Sequence, residues 1–405
     1  MPSPRPSVQT TTVQVTIKNN SSDQKLVYIL APTIVLVFVC IFVIHFLRRK
    51  RGSIRRHEND HLLEPQDNAV SPGLNRSVLM LEMIHEGQFA NVMRAKYGHE
   101  NVAVKSIKPS HSDLWANEKD IYQQCNLQHE NVLRFIAADK REHEGEIQYW
   151  IVTEYCSHGS LGDYLKKFTL RMSDLIGMSL CILNGLDYLH SSNHTSSVTV
   201  AHRDLKTSNI LVKSDLTCCI ADFGLSLSFP FEENIQHTID MSQVGTCRYM
   251  APEVLRGAMT FSAECFIAVD MYAFALVEWE LLSRTSTEDC ICAEPYQLPY
   301  ATEVGHHPTL DAMIQCVAEH KKRPLLKDKW RAHNILGVLC ETVEECWDTD
   351  AYARISARLA YIRLSRLSVE ISSSDENVSS TSSSKDAVTF IDSEAVANKL
   401  EESSI

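Results

Sequence analysis

At 405 residues with 44% hydrophobic content, the chain is long enough for one large folded unit with appendages. Its formal net charge of −12 argues against nucleic acid as the main partner, although one local cluster is strongly basic. Thirteen cysteines do not form a disulfide framework here: Cys40 lies in an apolar run and the other twelve follow it, which favours reduced thiols in a cytosolic domain. The Cys218-Cys219 and Cys290/Cys292 pairs lack the spacing of a zinc site.

Residues 1–25 are polar and carry no apolar core behind a basic start, so no cleavable signal peptide is expected. Two overlapping glycosylation sequons begin at Asn19 and Asn20. Residues 26–47 follow, twenty-two residues without a formal charge. As a helix they would reach about 33 Å, enough to cross a hydrocarbon core of about 30 Å. Residues 48–56, RRKRGSIRR, hold six basic residues against the single Lys25 on the other side. The positive-inside rule therefore puts the following chain in the cytosol. The expectation is a single-pass plasma-membrane protein with its N-terminus outside. Residues 48–76 read as a basic juxtamembrane linker, and Glu58 to Leu63 (ENDHLL) resembles an acidic dileucine signal. Phe266 to Leu282 is equally apolar but contains Asp270, Glu278 and Glu280, which predicts a helix buried in a globular core.

From Ser77 the pattern alternates. VLMLEMI, ANVMRAKY, NVAVKSI, VLRFIAA and IQYWIVTEY predict five strands, with the helical stretch SDLWANEKDIYQQC between the third and fourth, capped by Ser112 or Asp113. Beyond a hinge at Glu154 to Ser160 the period changes to that of helices, predicted over SDLIGMSLCILNGLDYLHSS and over 266–283, 309–320, 335–346 and 356–369. Residues 371–405 are serine-rich and acidic, and are expected to be disordered. They end in Ser403-Ser404-Ile405, which fits strand addition to a PDZ domain.

The chemistry concentrates in residues 201–224, AHRDLKTSNILVKSDLTCCIADFG. HRD with Asn five residues after its Asp, and DFG thirteen residues after that Asn, is the arrangement protein kinases use for phosphoryl transfer. One carboxylate, Asp204, handles the acceptor hydroxyl; Asn209 and Asp222 hold metal ions. Lys105 in VAVK is placed to reach the α- and β-phosphates, with Glu118 as its partner. Gly87, Val92, Ala103 and Thr153 are the expected surroundings of the nucleotide, Thr153 as a small gatekeeper before the hinge. Lys206 and Thr246 point to serine or threonine as acceptor. Glu253 in APE is expected to pair with Arg354, and Asp270 to brace the catalytic loop. One part departs from pattern: against GxGxxGxV, residues 85–92 read HEGQFANV, and Ala90 in place of the third glycine is expected to weaken or reshape ATP binding.

The fold class expected is α+β: a bilobal protein kinase fold over 77–370, with a five-stranded antiparallel N-lobe carrying one main helix and a mostly helical C-lobe, preceded by one transmembrane helix. The cofactors expected are ATP with Mg2+ or Mn2+.

Several longer stretches are similar to the type II receptors of the transforming growth factor β superfamily, and most of all to the activin type II receptors: HENVLRFIAADKR, HRDLKTSNILVKSDLTCCIADFGLSL, VGTCRYMAPEVLRGA, VDMYAFALVEWELLSR, GHHPTLDAM and LCETVEECWDTDAYARISA. The resemblance covers roughly Leu79 to Leu367. Residues 48–78 contain no Ser/Gly-rich box of the type I class. It implies a receptor kinase that phosphorylates Ser/Thr in the juxtamembrane region of a type I receptor, which then activates SMAD proteins. It also implies a cysteine-rich extracellular ligand-binding module, and residues 1–25 hold no cysteine, so direct ligand binding by this chain is not expected. The alternative is a weak or inactive truncated receptor that acts as a membrane adaptor or dominant-negative partner of type I receptors.

Overall fold

The computed structural model describes residues 78–143, 146–191, 198–230, 245–287 and 292–379, all within one compact unit, Ser71–Ile405. The expected membrane span, linker, dileucine-like stretch and C-terminal Ser403-Ser404-Ile405 lie outside the described residues. Among those that are described, no helix is long and apolar enough to cross a membrane.

Five strands, β1 (Val78–Glu86), β2 (Ala90–Tyr97), β3 (Glu100–Ile107), β4 (Phe135–His143) and β5 (Glu146–Glu154), form one antiparallel sheet in the order β1-β2-β3-β5-β4. The alternation read from the sequence is what such a sheet requires, because successive side chains point to opposite faces. Val102 and Val104 of β3 meet Trp150 and Val152 of β5 in one apolar cluster, while Ile107 and Ile151 belong to another. Between β3 and β4 runs helix α1 (Ser112–Gln124). Its cap corrects the sequence expectation. Position N-cap is His111, with no side-chain cap bond, and Ser112 is already helical because a single 3₁₀ turn, Pro109–His111, leads directly into it.

The second lobe is helical. After the hinge come α2 (Leu161–Lys167) and α3 (Met172–His190), then the short strands β6 (Val198–Ala201), β7 (Ile210–Val212), β8 (Cys218–Ile220) and β9 (Leu227–Pro230). β7 pairs with β8 and β6 with β9, both antiparallel. The remaining helices are α4 (Pro252–Leu255), α5 (Ala263–Ser283), α6 (Ala301–Val304), α7 (Leu310–Met313), α8 (Asp328–Arg331), α9 (Asn334–Cys346) and α10 (Ala357–Ser379). The helix predicted over 309–320 is split: α7 gives way to a π-helical turn at Ile314–Glu319. Helix α10 runs on to Ser379, past the boundary at residue 370 where the tail was expected to begin.

Helix α5 is buried on all sides, which is why its sequence shows no amphipathic stripe. Ser262 caps it, accepting from the Cys265 amide. Three of its four acidic residues, Asp270, Glu278 and Glu280, are fully buried, while Glu264 in the first turn is exposed. Glu280 accepts from Tyr249 Oη (2.6 Å), Tyr296 Oη (2.7 Å) and Thr207 Oγ1 (3.1 Å). Glu278 has one donor, Ser179 Oγ of α3 at 2.9 Å, and its Oε2 meets no partner among the described residues. Burial pushes the Glu278 carboxyl up to about 8, against the weaker downward pull of Ser179. Burial likewise takes Glu280 to about 7, its three hydroxyl donors pulling the other way. A neutral, protonated carboxyl is the form such a site tolerates. Burial also pushes the thiols of Cys340 and Cys346 on α9 above their ordinary value.

These carboxyls make folding pH-dependent. An unfolded glutamate titrates near 4.5 and native Glu278 near 8. Between those values the native state holds the extra proton, so stability falls as pH rises through this window. Replacing Glu278 with Gln should flatten part of the slope, and Glu278→Leu should raise stability near pH 8 by on the order of 1–3 kcal/mol. Urea unfolding across this pH range checks both; equal slopes for the parent and Glu278→Gln would contradict the assignment.

Candidate active site

The centre of the cleft is an ammonium group held by two carboxylates. Lys105 on β3 donates to Glu118 Oε2 on α1 (2.8 Å) and to Asp222 Oδ1 (2.7 Å), which follows β8 in the other lobe. The Glu118 side chain is 3% exposed while that of Asp222 is 44% exposed, so the first is structural in position and the second faces open cleft. Burial alone would lower the Lys105 pKa, but Asp222 and then Glu118 outweigh it and hold the ammonium well above its ordinary value. Burial acts to raise Asp222, and the Lys105 charge more than reverses that, keeping it ionised. Glu118 is raised, by burial and by sharing one cation with a second carboxylate.

Asp222 reaches this position through a left-handed backbone (φ 70°). Phe223 behind it is fully buried, edge-on to Tyr122 of α1 (5.1 Å) and to His202 (5.3 Å). Asn117, next to Glu118, donates through Nδ2 to the carbonyls of Phe223 (3.3 Å), Gly224 (3.1 Å) and Ser226 (3.0 Å). The sequence reading missed Asn117; nothing local marks it, because its partners lie more than a hundred residues away.

Asp204 is the second focus. Its Oδ1 accepts the Thr246 amide (2.8 Å), and its Oδ2 accepts Lys206 Nζ (2.7 Å) and Asn209 Nδ2 (3.1 Å). Lys206 Nζ also donates to Thr246 Oγ1 at 2.6 Å. A carboxylate offers about four lone-pair sites, so one is left for an incoming hydroxyl. Gly245 makes the approach of this segment feasible. Its φ is 109°, and a β-carbon there would stand 2.8 Å from the Arg203 carbonyl oxygen. Beneath, Asp270 of α5 accepts the amides of His202 (2.7 Å) and Arg203 (2.8 Å), with His190 Nε2 at 3.1 Å from the same carboxylate. Charge-assisted bonds of this kind contribute about 1.5–3 kcal/mol each. Arg354 closes the frame with a two-pronged pair to Glu253 at 2.7 and 2.9 Å.

Asn209 spends its amide nitrogen on Asp204, donating to its carbonyl at 2.9 Å as well, which leaves Oδ1 as an acceptor. Asp222 keeps Oδ2. Both are hard oxygen donors of the kind Mg2+ or Mn2+ prefers. Val92 stands opposite Lys105 across the β2–β3 ladder, and Ala103 stands opposite the buried Thr153 across β3–β5. Gly87 sits apart, in the β1–β2 turn, where its amide donates to the Ala90 carbonyl and its own carbonyl accepts from Lys108 Nζ.

Taken together, a clamped lysine, an ionised cleft carboxylate and a second carboxylate with one open site form a phosphoryl-transfer centre on a kinase fold. The sequence profile of the protein tyrosine and serine/threonine kinase family matches residues 78–361. Activin receptor type-2A of Homo sapiens is 38% identical over 356 residues, which cover 84% of this chain and 67% of that receptor. Its Rattus norvegicus counterpart is 42% identical over 299 residues, 73% of this chain and 58% of the relative. Activin receptor type-2B of Xenopus laevis is 38% identical over 349 residues, with 84% and 67% covered. The chain thus belongs to the protein kinase family and, within it, to the activin type II receptors, the receptor serine/threonine kinases of the activin class.

Because Asn117 works only as a donor, Asn117→Asp should be at least as damaging as Asn117→Ala, each losing about 1–3 kcal/mol of stability and loosening the 223–226 carbonyls. Thermal unfolding and amide exchange around Phe223 read this; an Asp variant as stable as the parent would rule it out.

Proposed function

We propose that this chain transfers the γ-phosphoryl group of ATP to serine or threonine hydroxyls, and that Asp204 is the residue acting on the acceptor. The arrangement of Lys206 and Thr246 around Asp204 is the observation that carries this reading. As the acceptor oxygen bonds to phosphorus and the bond to the β-phosphate oxygen breaks, Asp204 takes the hydroxyl proton through its remaining lone pair. Lys206 lies where it neutralises charge on the transferring group, and its bond to Thr246 fixes it there. Lys105 holds the α- and β-phosphates, positioned by Glu118. Val92, Ala103 and Thr153 surround the base, and Gly87 the phosphates. Asn209 and Asp222 would hold Mg2+ or Mn2+, which offsets phosphate charge when bound.

The acceptor we assign is the juxtamembrane Ser/Thr of a type I receptor of the activin and transforming growth factor β class, leading to SMAD activation. Residues 26–47 would anchor the chain in the plasma membrane, with residues 48–76 as linker to the kinase. In a shared membrane, enzyme and acceptor are brought together without any change in the site, and proximity alone supplies large rate factors.

The test uses the full chain in detergent with ATP, Mg2+ and a type I juxtamembrane peptide. Asp204→Asn should lower kcat by about 10²- to 10⁴-fold while KM for ATP changes little. Lys105→Arg and Asp222→Asn should reduce transfer to background. Wild type that labels the peptide no better than these variants would favour the non-catalytic adaptor.

A further inference from the structure

The turn between β1 and β2 keeps only Gly87 of the three glycines a phosphate loop of this kind normally has. Glycines let the backbone approach phosphates closely and adjust; β-carbons at His85 and Ala90 remove part of that freedom. The turn is instead anchored from outside. Lys108 Nζ donates to the Gly87 carbonyl (3.1 Å), and the Lys108 amide donates to the Phe89 carbonyl (3.0 Å). The Phe89 ring meets His111 edge-on, with centroids 4.9 Å apart. Within the turn, the Gly87 amide donates to the Ala90 carbonyl at 3.1 Å, and a β-carbon at Gly87 would stand 2.8 Å from that oxygen. Glycine survives at the one position where backbone contact demands it.

All the outside anchors come from the short connection between β3 and α1. That connection starts three residues after Lys105 and ends where the helix bearing Glu118 begins. A lysine in a polar turn ordinarily points into water. This one, though exposed, is directed onto a carbonyl of the turn.

We infer that Lys108 is a positioning residue for the nucleotide: its side chain holds the glycine-poor loop in place. The inference rests on the phosphotransfer reading above and extends it to a residue that touches no reacting atom. An anchored loop has less conformational freedom to lose when nucleotide binds, so the anchor strengthens binding. It does not alter the acceptor carboxylate, so the chemical step is left alone. The Lys108–Phe89 bond is backbone to backbone and is available to both the Ala and the Arg variant.

The experiment compares wild type, Lys108→Ala and Lys108→Arg in the full chain in detergent. In Lys108→Ala, the Kd of a fluorescent ATP analogue and the KM for ATP rise about 3- to 10-fold, the scale of one side-chain hydrogen bond, with kcat nearly unchanged. Amide exchange over residues 86–90, followed without nucleotide, becomes faster. Lys108→Arg keeps the donor and restores all of these values. Unchanged loop exchange in Lys108→Ala, unchanged affinity, failure of Arg to rescue, or a fall in kcat at constant KM would each overturn the tether. Wild type that binds no ATP analogue would instead sink the phosphotransfer reading, and the exchange measurement keeps the two failures apart.

Discussion

One ammonium group answers two carboxylates from different parts of the fold, and the geometry of the cleft follows from that sharing. Glu118 is buried enough that leaving it without a cation would be costly, so α1 must lie where Lys105 can reach it. Asp222 is then drawn to the same group, which requires the left-handed backbone that buries Phe223 between Tyr122 and His202. Asn117 secures the arrangement from the α1 side by donating to the carbonyls of Phe223, Gly224 and Ser226. Sheet, helix and catalytic loop are therefore tied by a few polar contacts, each of which fails if another is displaced.

Beneath the cleft the logic is different. Helix α5 is apolar all round, yet three carboxyls are placed inside it. Asp270 holds the catalytic loop by its amides, and Glu280 joins that loop to Tyr249 and Tyr296 through hydroxyls. Arg354 reaches across to Glu253 and to the Ala268 carbonyl. A rigid floor and an anchored roof leave Asp204 with three fixed donors and one open direction.

Much of this was legible in the sequence, for a physical reason. Phosphoryl transfer needs particular groups at particular separations along short loops, so Asp204, Asn209 and Asp222 stand out as candidates, and the VAVK motif points to Lys105 with Glu118 once the strand and the following helix are placed. The burial of Phe266 to Leu282 was readable because acidic residues in an apolar run argue for a core with polar partners. What was not readable depends on long-range contact. Asn117, the three donors to Glu280 and the β6–β9 pair have partners far away in the chain. Lys108 carries no signal at all, since a lysine after a strand is ordinarily solvated. The π-helical turn after α7 and the continuation of α10 to Ser379 show the usual weakness of periodicity at element ends.

The glycine-poor loop and the serine/threonine assignment meet in the central claim that this cleft is a working phosphotransfer site. Phosphoamino-acid analysis of the full chain after incubation with γ-labelled ATP and Mg2+ tests it most directly. The account predicts label in phosphoserine and phosphothreonine that disappears with Asp204→Asn. Label in phosphotyrosine, or label unaffected by that substitution, would contradict it.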